Sequence, residues 1–173
     1  GCIPSKTLLS NADILKKVKK ATEYGIETGK VSINYRKMKE RKDHVIQNIR
    51  SSLNGLIKTN GITIFNGHAE FLSKNDLKIM GEHNAIIQAE NIIIATGSEP
   101  IDIPAFPCDH ERICNSTSAL ELTELPSSVA VIGGGYIGCE FASLFHALGV
   151  KVTIIEALGS IVCLLYTSPS PRD

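Results

Sequence analysis

The sequence predicts an α/β fold, and three observations carry that reading. Residues 127–162 run as short apolar segment, glycine-rich turn, helical stretch and short apolar segment, the order of one β-α-β unit. Residues up to Gly61 place apolar side chains at helical spacing. Between those regions the texture changes to short β-branched runs separated by turn signals, a strand-rich segment.

Taken in order, Pro4 stands where a first helical turn tolerates proline, and Leu8, Leu9, Ala12 and Leu15 recur at helical spacing until Gly25 stops the run. A second, long amphipathic helix is expected from Asn34 as its cap, with Met38, Val45, Ile49 and Leu56 on one stripe and Asn60-Gly61 closing it. Strands are expected at Ile62–Phe65, Ala69–Leu72, Leu77–Met80 and Ala85–Ala95, punctuated by Asn66-Gly67, Asn75-Asp76 and Gly81-Glu82. Pro100, Pro104, Pro107 and Pro126 mark a connection between domains. Val129–Ile132 and Val150–Ile155 then read as the two strands of the β-α-β unit.

Composition excludes several classes. The 173 residues carry 18 basic and 18 acidic side chains without a long run of either sign, so no footprint for nucleic acid or an anionic membrane is present. The longest apolar stretches fall far short of a bilayer span. The cysteines Cys2, Cys108, Cys114, Cys139 and Cys163 lack the close pairs of a zinc site or a secreted disulfide scaffold, which points to a reducing, cytoplasmic setting. The histidines His44, His68, His83, His110 and His146 form no metal-ligand pattern, and no metal is expected. The chain opens on Gly1-Cys2 without an initiator Met, and from about Cys163 its tail breaks the preceding pattern. Both ends read as cut or spliced, and residues 163–173 as disordered or non-native.

Two places carry chemistry. Gly133, Gly135 and Gly138 have G-x-G-x-x-G spacing directly after a strand and at a helix start. The first glycine serves a tight turn, the second lets backbone approach a pyrophosphate, and the third lets helix and strand pack closely. Glu156 ends the second strand, about 20 residues beyond the turn, where a carboxylate accepts ribose hydroxyls and repels a 2′-phosphate. NAD is therefore expected over NADP; tight packing alone is the competing explanation of the glycines. The other place is Gly1-Cys2-Ile3-Pro4-Ser5-Lys6, a thiol at a helix start with a lysine one turn on, where helix end and ammonium would both favour a thiolate. Taken alone, such a cysteine is more often a packing residue.

The string Gly1–Lys6 resembles the redox-active motif of the class I pyridine nucleotide-disulfide oxidoreductases, and its Ile-Pro-Ser form is most similar to the dihydrolipoamide dehydrogenases among them. Gly67-His68-Ala69-Glu70-Phe71, Ala95-Thr96-Gly97-Ser98 and the run from Gly133 to Glu140 follow in that family's order. The resemblance covers about residues 1–162. It implies two doubly wound, Rossmann-like domains, both incomplete in this chain: residues 1–109 from an FAD domain, 110–126 a connection, and 127–162 the start of an NAD domain. It implies FAD and NAD as cofactors, with Cys2 as the flavin-side thiol and Lys6 paired with Glu140 beside the flavin. His68 and Ala69 would present backbone to the FAD adenine, and Thr96, Gly97 and Ser98 would close on its phosphates and ribose. Gly133, Gly135, Tyr136, Ile137, Gly138 and Glu156 would hold NAD.

The implied activity is oxidation of dihydrolipoyl groups through a disulfide and flavin to NAD⁺. The implied partners are the dihydrolipoyl domains of 2-oxo acid dehydrogenase complexes and a second copy of the chain, in the cytoplasm or, in a eukaryote, the mitochondrial matrix. The resemblance also implies parts outside this chain: a first FAD β-α-β unit, a partner cysteine before residue 1, and an interface domain with a His-Glu acid-base pair. Without them, the isolated chain is expected to be inactive and poorly soluble. Tyr136 departs from the aliphatic residue usual in dihydrolipoamide dehydrogenases, which keeps a sister disulfide or mercuric reductase open, as does the alternative of a non-catalytic nucleotide-binding remnant.

Overall fold

The computed structural model describes residues 1–82, 84–101 and 103–162, so His83, Cys163 and the rest of the tail lie outside the described residues. Its elements are α1 (Cys2–Lys19), α2 (Tyr35–Thr59), β1 (Gly67–Phe71), β2 (Asp76–Gly81), β3 (Ala85–Gln88), α3 (Ser116–Ala119), β4 (Ser128–Ile132), α4 (Tyr136–Ala147) and β5 (Lys151–Ile155). The α/β class expected from the sequence is the class observed. The chain forms two compact units, one from residues 1–48 with the segment from Pro100 onward, the other from residues 49–99.

In the first unit α1 buries Leu8, Ala12 and Leu15, an i, i+4, i+7 stripe. Lys16, Lys17 and Lys19 fill its last turn, where the helix dipole favours cations. A 3₁₀ turn at Ala21–Tyr24 follows and ends at Gly25 in the left-handed region, φ 74°. The side-chain oxygen of Asn34 accepts the Lys37 N–H at 3.1 Å, so α2 begins where its capping residue predicted. Its expected apolar stripe is only partly buried. Met38 packs against the core, but Ile49 and Leu56 are exposed, and the residue fully enclosed is Lys42.

Leu8, Ala12 and Leu15 of α1, Tyr35 of α2, Leu120, and Leu144 and Leu148 at the end of α4 form one buried cluster. Each leucine so enclosed contributes about 1.5–3 kcal/mol. This cluster seats α1 against α4. β4 and β5 pair in parallel from Ser128↔Lys151 to Ile132↔Ile155, with α4 between them in sequence and packed on both. The β-α-β unit is thus formed as the sequence predicted.

The second unit is an antiparallel meander, β1-β2-β3. Gly67 faces Gly81 across the ladder, and a Cβ on either would strike the other strand's backbone. Gly67 therefore opens β1 and does not turn the chain, contrary to the reading of Asn66-Gly67 as a turn. One expected strand is absent and another is cut short. Ile62–Phe65 forms no ladder, and the run to Ala95 stops at Gln88. Asn75 donates its side-chain amide to the Ala89 and Glu90 carbonyls, at 2.7 and 3.3 Å, which ends β3 there. A strand needs a partner to satisfy its backbone groups, and beyond Gln88 the described residues supply none.

Candidate functional site

The turn between β4 and α4 is built from its glycines. Gly133 has φ 101°, a conformation side chains rarely adopt, and donates its N–H to the Ile155 carbonyl at 2.8 Å. Gly138 admits no Cβ, because one would run into the Gly133 carbonyl oxygen and lie 3.2 Å from Val131 Cγ1. That is the close helix–strand contact expected of the third glycine. Gly135 is the N-cap of α4 and offers no side-chain cap, so the first-turn N–H groups of this 12-residue helix keep no such partner. An anion is the chemistry such an end takes. Tyr136 and Ile137 open the helix with exposed side chains.

Glu156 closes the far side. Its Oε2 accepts the Gly134 N–H at 2.5 Å and its Oε1 the Leu158 N–H at 2.7 Å. The Leu158 and Gly134 amides hold its carboxyl below the usual carboxylate range. Gly134 was hidden in the sequence as the unspecified position of the motif. Only its contacts single it out.

Cys2 is the first residue of α1, exposed and free, and its carbonyl accepts the Ser5 hydroxyl at 3.2 Å. Lys6 stands one turn further, on the same face of the helix. Its ammonium donates to Glu140 of α4. The two side chains are 60% and 34% exposed, so the pair adds no more than about 1 kcal/mol of stability and acts chiefly to orient the two groups. Ser5, Leu9, Glu140, Phe141 and Leu144 line a shallow recess beside it. The pair thus joins the helix that carries the thiol to the helix that the glycine turn opens.

The remaining expected site residues belong to the second unit. His68 and Ala69 lie in β1 opposite Met80 and Ile79. Thr96, Gly97 and Ser98 follow without a ladder, and Gly97 has φ 81°.

One cluster was not read from the sequence. Lys42 and Lys39 alternate with Asp43 and Glu121 in a ring of four ion pairs of 2.7–3.0 Å, and Lys42 also donates to the Leu120 carbonyl at 3.0 Å. The i, i+4 spacing of Lys39 and Asp43 was a visible signal, but Glu121 is remote in sequence.

Among known proteins, the family described as pyridine nucleotide-disulphide oxidoreductase matches residues 1–167. The chain is 49% identical to a dihydrolipoyl dehydrogenase of Chlamydia trachomatis, over 95% of this chain and 36% of that protein. It is 45% identical to one of Bacillus subtilis, over 94% of this chain and 36% of that protein. Among solved structures it is similar to the HOCl-induced flavoprotein disulfide reductase RclA of Escherichia coli, with a TM-score of 0.73 and 32% identity over 94% of this chain and 34% of that one. LpdA of Mycobacterium tuberculosis shares the fold with a TM-score of 0.85 at 22% identity, over 93% of this chain and 36% of that one. The chain spans about a third of the length of the curated relatives it matches.

Proposed function

The chain belongs to the pyridine nucleotide-disulphide oxidoreductase family, and from that premise we propose that the protein oxidises dihydrolipoyl groups and reduces NAD⁺ through FAD. The observation that carries the proposal is the Lys6–Glu140 pair, which fixes a cation one helical turn from Cys2 and ties that helix to the glycine turn. The residues of the glycine turn fit a dinucleotide. The Gly133–Gly138 cradle, closed to any Cβ at Gly138, and the uncapped start of α4 suit a pyrophosphate, and Glu156 suits a ribose diol. His68, Ala69 and Thr96–Ser98 would serve the FAD adenine, phosphates and ribose, with residues 1–109 on the FAD side and 127–162 on the NAD side.

When bound, FAD passes two electrons between a thiol pair and the nicotinamide. Overall, a dithiol becomes a disulfide, NAD⁺ takes up a hydride, and one proton is released. Cys2 would supply the flavin-side thiol of the redox pair, and the partner cysteine implied before residue 1 would exchange with substrate. Glu140 would hold Lys6 in place on the flavin side of the site, one helical turn from Cys2. Glu156 accepts the ribose hydroxyls and repels a 2′-phosphate, while Tyr136 and Ile137 stand at the mouth of the turn.

The substrate-bearing partners would be dihydrolipoyl domains of 2-oxo acid dehydrogenase complexes. The protein would act as a homodimer, in the cytoplasm or a mitochondrial matrix. No helix among the described residues is long and apolar enough to cross a membrane.

The test is turnover of dihydrolipoamide with NAD⁺ by the full-length protein and its Cys2→Ser variant. Wild type should turn over and the variant should lose activity by about 10³-fold or more, the scale set by removal of one member of a catalytic unit. An active Cys2→Ser protein would sink the proposal. Tyr136 favours a second reading, a sister reductase of another disulfide. Wild type that ignores dihydrolipoamide but oxidises NADH with a different disulfide would select it.

A further inference from the structure

The turn that would take the pyrophosphate is three consecutive glycines, Gly133, Gly134 and Gly135, the sequence with the most backbone freedom to lose. In this structure the middle glycine is nevertheless held on both sides. Its N–H is bonded to Glu156 Oε2 at 2.5 Å. Its carbonyl accepts the Val162 N–H at 2.7 Å and lies 3.3 Å from the Cys139 sulfur, a weak donor. The other oxygen of Glu156 takes the Leu158 N–H, so one carboxylate fastens the turn and starts the segment that returns over it. There is no room at Gly134 for more: a Cβ would lie 2.8 Å from Ile161 and 3.1 Å from Glu156 Oε2.

We propose that Glu156 is a positioning residue for the glycine turn, holding it through Gly134 and Leu158 in the shape that receives a pyrophosphate before the nucleotide arrives. This rests on the nucleotide-site reading above and goes beyond the carboxylate's expected contact with ribose. A carboxylate has about four lone-pair sites. Two are committed to the chain, and two remain for a sugar diol. The same group therefore pre-organises the phosphate subsite and reads the sugar, and its removal costs affinity even for a ligand with no hydroxyl to offer.

The test uses the full-length, flavin-loaded protein and two ligands, NAD⁺ and its analogue lacking both hydroxyls of the adenosine ribose. Glu156→Gln should bind the dideoxy analogue about tenfold or more weakly than wild type, equivalent to about 1.4 kcal/mol. Gly134→Ala breaks the clasp from its other end and leaves the carboxylate for the sugar; it should also weaken both ligands. In nucleotide-free protein, the Gly134 and Leu158 amides should exchange hydrogen faster in Glu156→Gln than in wild type.

If Glu156→Gln weakens NAD⁺ but binds the dideoxy analogue as wild type does, Glu156 acts on hydroxyls alone. The positioning role is then overturned while the nucleotide site stands. If wild type binds neither ligand, the nucleotide-site reading fails. Unchanged amide exchange in Glu156→Gln overturns the clasp whatever the ligands do.

Discussion

At the scale of single residues, the glycines of the turn separate packing from ligand approach. Gly138 is required by the chain itself, since its missing Cβ makes room for the Gly133 carbonyl. Gly135 is different. It has φ −71° and nothing within 4 Å of where a Cβ would stand, so the folded chain has no need of a glycine there. If that open space is where a pyrophosphate meets the backbone, Gly135→Ala should lower stability by less than about 1 kcal/mol, the cost of a poorer N-cap. The same variant should weaken NAD⁺ about tenfold or more. Thermal melts and nucleotide titration of that one variant check both. Unchanged NAD⁺ affinity would mean that the ligand does not approach the turn at Gly135. The motif spacing made Gly133, Gly135 and Gly138 legible in the sequence because each answers a local geometric demand. Gly134 was illegible because its importance comes from Glu156, Val162 and Cys139, and no local pattern records that convergence.

At the scale of elements, the same contrast separates helices from strands. α1, α2 and the β4-α4-β5 unit were legible because capping residues and apolar spacing act within a few residues of chain. Ile62–Phe65 and Ile92–Ala95 carry the composition of buried strands, yet a strand exists only with a neighbour, and composition cannot say whether the neighbour is there. Lys42 escaped notice because a lysine on α2 reads as solvent-facing, whereas Leu120 and Glu121, 78 and 79 residues away, enclose it. Lys42→Met should cost about 1–3 kcal/mol, since it leaves the Leu120 carbonyl without its partner. The ring also sets a pH dependence. Lys42 foremost holds Glu121 below its ordinary 4.5, and Lys39 foremost holds Asp43 below its ordinary 3.8. Groups lowered on folding stabilise above their unfolded values, and that stabilisation is lost as pH falls through the folded ones. Lys39 is raised above 10.5, chiefly by its bond to Asp43, so its share is full below 10.5 and lost at more alkaline pH. The stability gap between wild type and Lys42→Met should therefore be full at neutral pH and narrow as the solution is taken below about pH 4. Melts of both proteins from pH 7 to pH 3 measure it. A gap that stays constant would show that the ring's charges contribute nothing.

At the scale of the whole molecule, the unpaired runs become a liability. Ile93, Ile94 and Ile101 are 90, 71 and 83% exposed, and Ile132 and Ile155 of the parallel pair are about half exposed. Burying each such side chain is worth about 1.5–3 kcal/mol, and here that free energy is open to any apolar surface that meets it. Unpaired β-branched backbone adds ladder bonds to the same encounter. The matched relatives are about three times as long as this chain, so in them further sequence is available to meet these faces. The 173-residue chain expressed alone should associate as its concentration rises, and Ile93→Lys with Ile94→Glu should reduce that association. Both side chains are exposed, so the charges take no contact from the core cluster of Leu8, Leu120 and Leu144. Sedimentation of the two chains over a tenfold concentration range compares them. A monomeric wild-type chain with a single sharp melt would show that the exposed isoleucines carry no association free energy and that the core cluster alone sustains the fold.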